Sequence, residues 1–409
     1  MNPHPSHPAG KRLAAVGRRC ATALTFATAL TGAGATALVL LPPVSWSAWQ
    51  YALLALEFSL LFAALAAVGL SASLLARGPA RVIAAAANGA VLVAALVPPA
   101  AIWSTARDEG IPLDLGAYTA GLSTSTDREP ETHVYLRTGD SPVGDPDTPE
   151  DLVLDVWRPA EHTDRDLLPI VVNVHGGAED LPQSLLPRWD TWIADRGYVV
   201  FDADYRHFPD GDWSVPVSDV KCAIGWARAH AEEHGADPDR VAVTGQSAGG
   251  LLALLAAYTT DEEIAPSCEG DSGVDAAVAW YSASDGTASA PEVPWRQRLS
   301  PLGEELHESS VQMMGGTVEE LPEEYALASP LEHVSPDTPP TLLVMPGHDL
   351  FLDPEDNRRF AARLDEAGVP HEHLEIPWAE HMFDLNWGGF ASQVTRHELE
   401  EFLGEHLAP

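Results

Sequence analysis

Ser247 lies in Gly245-Gln246-Ser247-Ala248-Gly249-Gly250, between the apolar run VAVTG (241–245) and the small-residue run GGLLALLAAY. A serine hydroxyl is a weak nucleophile, so it must project from a sharp turn beside a base. Gly245 and Gly249 provide the small neighbours such a turn requires, and the strand–turn–helix setting raises the motif above a chance match. Acyl transfer also needs hydrogen-bond donors for the developing oxyanion. His175-Gly176-Gly177-Ala178 ends an apolar run upstream, where glycine backbone can turn N–H groups toward a pocket. The N–H of Ala248, at a helix start, is a further candidate donor. An orienting acid and a base should follow the serine in chain order. PGHDLFLDPEDN offers Asp349, with Asp353 as the alternative acid, and AEHMFDL offers His381 just past the last apolar run. His371 and His373 alternate along a strand and read as surface positions, and His348 faces the wrong way for the constellation. No metal and no organic cofactor is expected.

These side chains need a scaffold. DLVLDVWRP (151–159), LPIVVNVHGG (168–177), YVVFDADYR (198–206), VAVTG, AAVAWYS (276–282), PTLLVMPG (340–347) and HEHLEIP (371–377) read as strands, with THVYLR (132–137) as a first edge strand. Helices are expected over about 183–196, over 217–234 with Ser218 or Asp219 as cap, after Ser247, over Asn357–Ala367 and over Gln393–Leu407. The alternation predicts an α/β fold: a mostly parallel sheet with helices on both faces. The catalytic domain is assigned to 131–409, residues 284–335 to a cap or insertion within it, and 106–130 to a linker.

The region before residue 106 has another solvent. Apolar runs over about 21–42, 50–76 and 82–103 each have the roughly 20 residues that cross a hydrocarbon core as a helix, so residues 1–105 read as about three transmembrane helices. Lys11, Arg12, Arg18 and Arg19 precede the first run, and Arg77 and Arg81 flank the link between the second and third, which makes both regions cytoplasmic. The protein is then a multi-pass protein of the cell membrane, with its catalytic domain extracytoplasmic. A cleaved signal peptide in place of the first span would leave that domain on the same side. Glu57 falls inside the second run, where a carboxyl costs roughly 2.5–3.5 kcal/mol on insertion scales, and is read as a protonated group near the outer interface. Cys222 and Cys268 are the exported cysteines and read as one disulfide, with two separate buried thiols as the alternative.

Charge supports the division. Of 23 basic and 60 acidic residues, six and one lie in 1–105, so the remainder carries 17 and 59, a net of −42. Such a domain repels nucleic acid, which is excluded as a partner, and its acidity reads as solubility. The expected partners are a small-molecule ester and, through the apolar helices, the lipid bilayer.

The stretches VVNVHGG, FDADYRHFP, DVKCAIGWARAHAEEHGADPDRVAVTGQSAGG, YALASPLEHVSPDTPPTLLVMPGHD and IPWAEHMFD follow one family order. Residues from about 130 onward resemble the α/β-hydrolase esterase/lipase family related to hormone-sensitive lipase and to bacterial feruloyl-esterase-like enzymes. The resemblance implies Ser247 as nucleophile, His381 as base, Asp349 as acid, and Gly176, Gly177 and Ala248 as oxyanion donors. It implies hydrolysis of carboxylic esters through an acyl-enzyme. An amidase or exopeptidase on the same triad, or a non-catalytic membrane-tethered binding module, are the rival readings. One departure is Ala178, where lipase-like members often carry a third glycine tied to tertiary-alcohol esters.

Overall fold

The apolar runs pair into one eight-stranded sheet. Its strands are β1 (Glu131–Arg137), β2 (Asp151–Trp157), β3 (Leu168–Val174), β4 (Val199–Ala203), β5 (Ala236–Gln246), β6 (Ala276–Trp280), β7 (Thr341–Pro346) and β8 (His371–Ile376). They lie in the order β1-β2-β4-β3-β5-β6-β7-β8. β2 runs antiparallel to β1 and β4, and all other neighbours are parallel. The computed structural model describes residues 8–119, 125–143, 150–161, 167–177, 181–207, 212–285 and 295–408.

Parallel strands need long crossovers, and helices supply them. α6 (Ser214–Ala229), α7 (Ala248–Tyr258) and α11 (Pro354–Ala367) cover one face, where Ile170, Val172 and Val243 pack with Ile224, Leu254 and Phe360. α5 (Pro187–Ala194) and α12 (Phe390–His406) cover the other, where Val171, Val200 and Val278 pack with Ile193, Val394 and Phe402. Burial on both faces explains why β3 is apolar apart from Asn173, whose amide donates to Asp190 and Asp202, rather than alternating. The sequence-expected α/β layering is the observed one. α6 begins earlier than expected, at Ser214, so Asp219 is no cap. It is buried in the helix interior, paired with the Arg206 guanidinium. Cys222 of α6 is joined to Cys268 by a disulfide, with Cα atoms 5.1 Å apart.

The interruption between β6 and β7 is helical: α8 (Trp295–Arg298), α9 (Pro301–Met314) and α10 (Pro322–Leu327). Ahead of the sheet come α1 (Pro8–Leu40), α2 (Trp46–Glu57), α3 (Ser59–Ser73) and α4 (Ala80–Asp108). Within these, Ala15–Leu40 and Ala80–Asp108 are each long and apolar enough to cross a membrane. The expected span 50–76 is instead two helices bent by 72° at Phe58. The cause is local. The Glu57 carbonyl accepts from the Tyr118 hydroxyl, and the Leu61 N–H turns to the Phe58 carbonyl. α1, α3 and α4 pack around buried Asn88, whose amide donates to the Thr25 and Ala84 carbonyls.

α2 is seated on the sheet-bearing domain. Trp49 and Leu53 pack with Leu302 of α9 and Leu350. Trp46 Nε1 donates to Glu305 at 2.9 Å, and the Ser300 hydroxyl donates to the Pro43 carbonyl. Glu57 is buried against the Asn386–Gly389 loop, so its side chain faces protein rather than the bilayer surface. The stretch read as a linker is packed as well. Ala106, Ile111 and Tyr118 are buried among α12 residues, and Gln393 accepts from the Asp114 N–H at 2.7 Å.

Candidate active site

Three strand ends converge. β5 delivers Ser247 on its turn into α7, with φ 53° and ψ −122°. Such a backbone is strained for a non-glycine residue and persists only where surrounding packing enforces it. Here the enforcement is close approach. A Cβ on Gly249 would stand 2.1 Å from the Val174 carbonyl oxygen, and one on Gly176 would stand 2.7 Å from that of Gln246. The serine turn and the glycine loop after β3 therefore touch backbone to backbone. Tyr205 steadies that loop: its hydroxyl donates to the His175 carbonyl at 2.9 Å, and its ring stacks on the His175 imidazole.

The loop after β7 carries Asp349, and the loop after β8 carries His381. Asp349 Oδ2 lies 2.9 Å from His381 Nδ1, and His381 Nε2 lies 2.9 Å from Ser247 Oγ. An ionised carboxylate only accepts, so Nδ1 carries the hydrogen and Nε2 is left to accept from the serine hydroxyl. Asp349 Oδ1 accepts from the Phe351 and Leu352 N–H groups, which fixes the carboxylate plane. Asp353 does not join this chain. Its side chain caps α11 by accepting from the Glu355 N–H. The arrangement can activate a hydroxyl, shuttle one proton and stabilise an imidazolium.

Residues 154–364, just over half of the chain, match BD-FAE. The chain belongs to the BD-FAE family. Among curated proteins, this BD-FAE chain is 31% identical over 270 residues to the probable carboxylic ester hydrolase LipM of Mycobacterium tuberculosis, covering 62% of this chain and 58% of LipM. It is 33% identical over 263 residues to esterase LipC of the same organism, covering 62% of each. The chain thus spans about three-fifths of the length of these mycobacterial relatives. A thermophilic esterase from the Planctomycetes species Thermogutta terrifontis has the same fold, with TM-score 0.55 and 26% identity over 70% of this chain and 97% of that one. That esterase has also been solved phosphonylated by sarin, with the same TM-score and identity over 70% of this chain and 98% of that one.

The BD-FAE core holds groups near the Asp349–His381–Ser247 chain that sequence reading passed over. Glu380 precedes His381. Its Oε1 accepts from the Leu350 N–H at 2.6 Å and from the His381 N–H at 3.2 Å, and its Oε2 accepts from Arg296 of α8. Burial, then the neighbouring Asp349 charge, holds its carboxyl up at about 7, against the pull of Arg296. The Tyr281 and Phe351 rings flank the His381 imidazole at 4.8 and 4.7 Å. The Tyr281 hydroxyl is tied down by donating to buried Asp384, whose carboxyl is raised by desolvation. A glutamate beside a histidine and an arginine in an irregular insertion carry no pattern of their own, so only their convergence reveals them.

His348 is half-buried and engages the N-terminal apolar helices rather than the Asp349–His381–Ser247 chain. Its Nε2 lies 3.1 Å from the Val39 carbonyl of α1. Burial, then the Arg296 charge, lowers its pKa to about 4, so it stays neutral and donates that bond. Of the expected oxyanion donors, Gly176 and Ala248 border Ser247 and Gly177 follows in the same loop; Ala178 lies outside the described residues. Among the described residues, the grouping of metal-capable side chains is Glu131, His133 and His234, on β1 and the turn after α6. Glu131 is there engaged by Arg158.

Proposed function

We propose that the chain is a serine hydrolase of carboxylic esters, with Ser247, His381 and Asp349 as its triad. The observation that carries this is the unbroken Asp349–His381–Ser247 hydrogen-bond chain, both links 2.9 Å. The names of the relatives support the substrate class.

Ser247 Oγ attacks the ester carbonyl carbon while His381 Nε2 takes its proton. The carbonyl oxygen becomes an oxyanion, received by the N–H groups of Ala248 and of Gly176 and Gly177. The bond to the alcohol oxygen then breaks, and that oxygen leaves with the proton held by His381. Water attacks the acyl-enzyme, its proton passing to His381 and then to Ser247 Oγ as the carboxylic acid departs. Asp349 holds the imidazole tautomer and offsets the charge of its cation. The catalytic domain stands outside the cytoplasm of a multi-pass membrane protein. The Arg77–Arg81 link supports this, because the domain rests on the opposite ends of the helices, at Pro43 and Asp114.

Hydrolysis of p-nitrophenyl butyrate by the full chain in detergent tests the assignment. Ser247→Ala should lower turnover by at least about 1,000-fold. Turnover that survives the substitution, or faster release from aminoacyl p-nitroanilides than from the ester, would overturn it.

A further inference from the structure

Where α2 bends into α3, the helices leave a cavity of about 190 Å³. Val39, Leu56, Phe62, Ala95 and Val97 line it, together with one residue from beyond the helices, Trp378. The lining is almost wholly apolar, and the walls belong to the helices that qualify as membrane spans. Water gains few hydrogen-bond partners there, and an empty space forfeits dispersion contacts. The surrounding medium supplies an occupant of matching chemistry, the hydrocarbon chain of a lipid.

The cavity wall is also continuous with the loops that carry the acid and the base. Trp378 is held with φ 62°, three residues before His381. Its ring lies 4.9 Å from that of His348, which adjoins Asp349 and bonds Val39 of the cavity wall. Phe351, edge-on to His381, meets Trp46 and Trp49 of α2 at 5.7 and 5.0 Å. Around this junction Leu41 and Val44 from the turn between α1 and α2, Trp46 of α2, and Trp295 and Leu299 from α8 and its end stand exposed. Exposed aromatics and aliphatics at one level suit a membrane surface.

We infer that the cavity receives an acyl chain of an ester lipid still resident in the bilayer, and that this lipid's ester is what Ser247 cleaves. The inference rests on the esterase reading and adds its substrate class: membrane lipids rather than dissolved esters.

The test uses the full chain in phosphatidylcholine nanodiscs. A phosphatidylcholine bearing a diazirine in its acyl chain should label peptides holding Val39 and Ala95–Val97. Ala55→Phe and Ala95→Phe, which fill the space, should lower that labelling. They should also reduce the ratio of p-nitrophenyl laurate to butyrate turnover at least tenfold. Labelling confined to lipid-facing positions such as Leu30 and Ile83 would overturn the inference. So would cavity labelling with a ratio within twofold of wild type, which marks a structural lipid. Labelling by diazirine palmitic acid but not by the phosphatidylcholine would make it a free-acid site, with the same consequence. Butyrate turnover lost in Ser247→Ala reads on the esterase assignment alone, so the two can fail separately.

Discussion

The His381 imidazole is useful only while its ring and backbone stay fixed, and Glu380 supplies much of that fixing. Its carboxylate bridges the acid loop, the base loop and α8 through the Leu350 N–H, the His381 N–H and Arg296. That position carries a pH signature. The carboxyl titrates near 4.5 when solvated and at about 7 in the fold. Between these values the unfolded chain has lost the proton and the folded chain keeps it. Its contribution to stability is therefore present below 4.5 and lost as pH rises through 7. Glu380→Gln removes the titration, so the variant should gain on wild type between pH 5 and pH 8, by on the order of 3 kcal/mol at most. Urea midpoints at the two pH values check this, and parallel shifts in both proteins would contradict it.

At the level of elements, α6 is tied to the chain beyond α7 by more than packing. The Cys222–Cys268 bond stands beside the Arg206–Asp219 pair, and Ser267 donates to Asp219. Buried Lys221 donates to the Thr259 and Ile264 carbonyls from the same helix. Because the bond restrains the unfolded chain, replacing both cysteines by serine should cost about 2–4 kcal/mol and lower Tm. The triad lies on other loops, so calorimetry should show the loss while butyrate turnover at 25 °C changes less than twofold. α2 shows what tertiary contact does to a helix. Residues 50–76 satisfy the length and hydropathy of one span, yet the Tyr118 hydroxyl takes the Glu57 carbonyl and the helix breaks.

At the scale of the whole molecule, the apolar N-terminal helices and the sheet-bearing domain share a core rather than a tether. Ile102 and Ala106 of α4 are buried with Trp189, Val394 and Phe402. Trp49 and Leu53 of α2 are buried with Leu302 and Leu350. The proposed orientation is checked by proteinase K on intact cells. The 106–409 region should be cut from outside while an epitope between Arg77 and Arg81 stays protected. Protection of the catalytic domain until the cells are lysed would reverse the topology. Removing residues 1–105 exposes the apolar faces of Leu302 and Leu350 beside the active site, so the isolated domain is a poor stand-in for the whole chain.

Much of this was legible in the residues. Ser247, Asp349 and His381 stand in strand-end loops whose chemistry and order follow from local pattern, and period and apolar content located all eight strands. Local signals suffice there because turn geometry and strand burial are imposed by near neighbours in the chain. The residues alone left Asp353 open beside Asp349 on one loop and the family resemblance favoured Asp349; the structure adds that Asp349 lies 2.9 Å from His381 while Asp353 caps α11. Glu380 and Arg296, the bend at Phe58 and the cavity under Trp378 needed the tertiary structure. Each depends on groups distant in sequence meeting in space, and no pattern of spacing encodes where a helix with the composition of a span will instead be seated against its own catalytic domain.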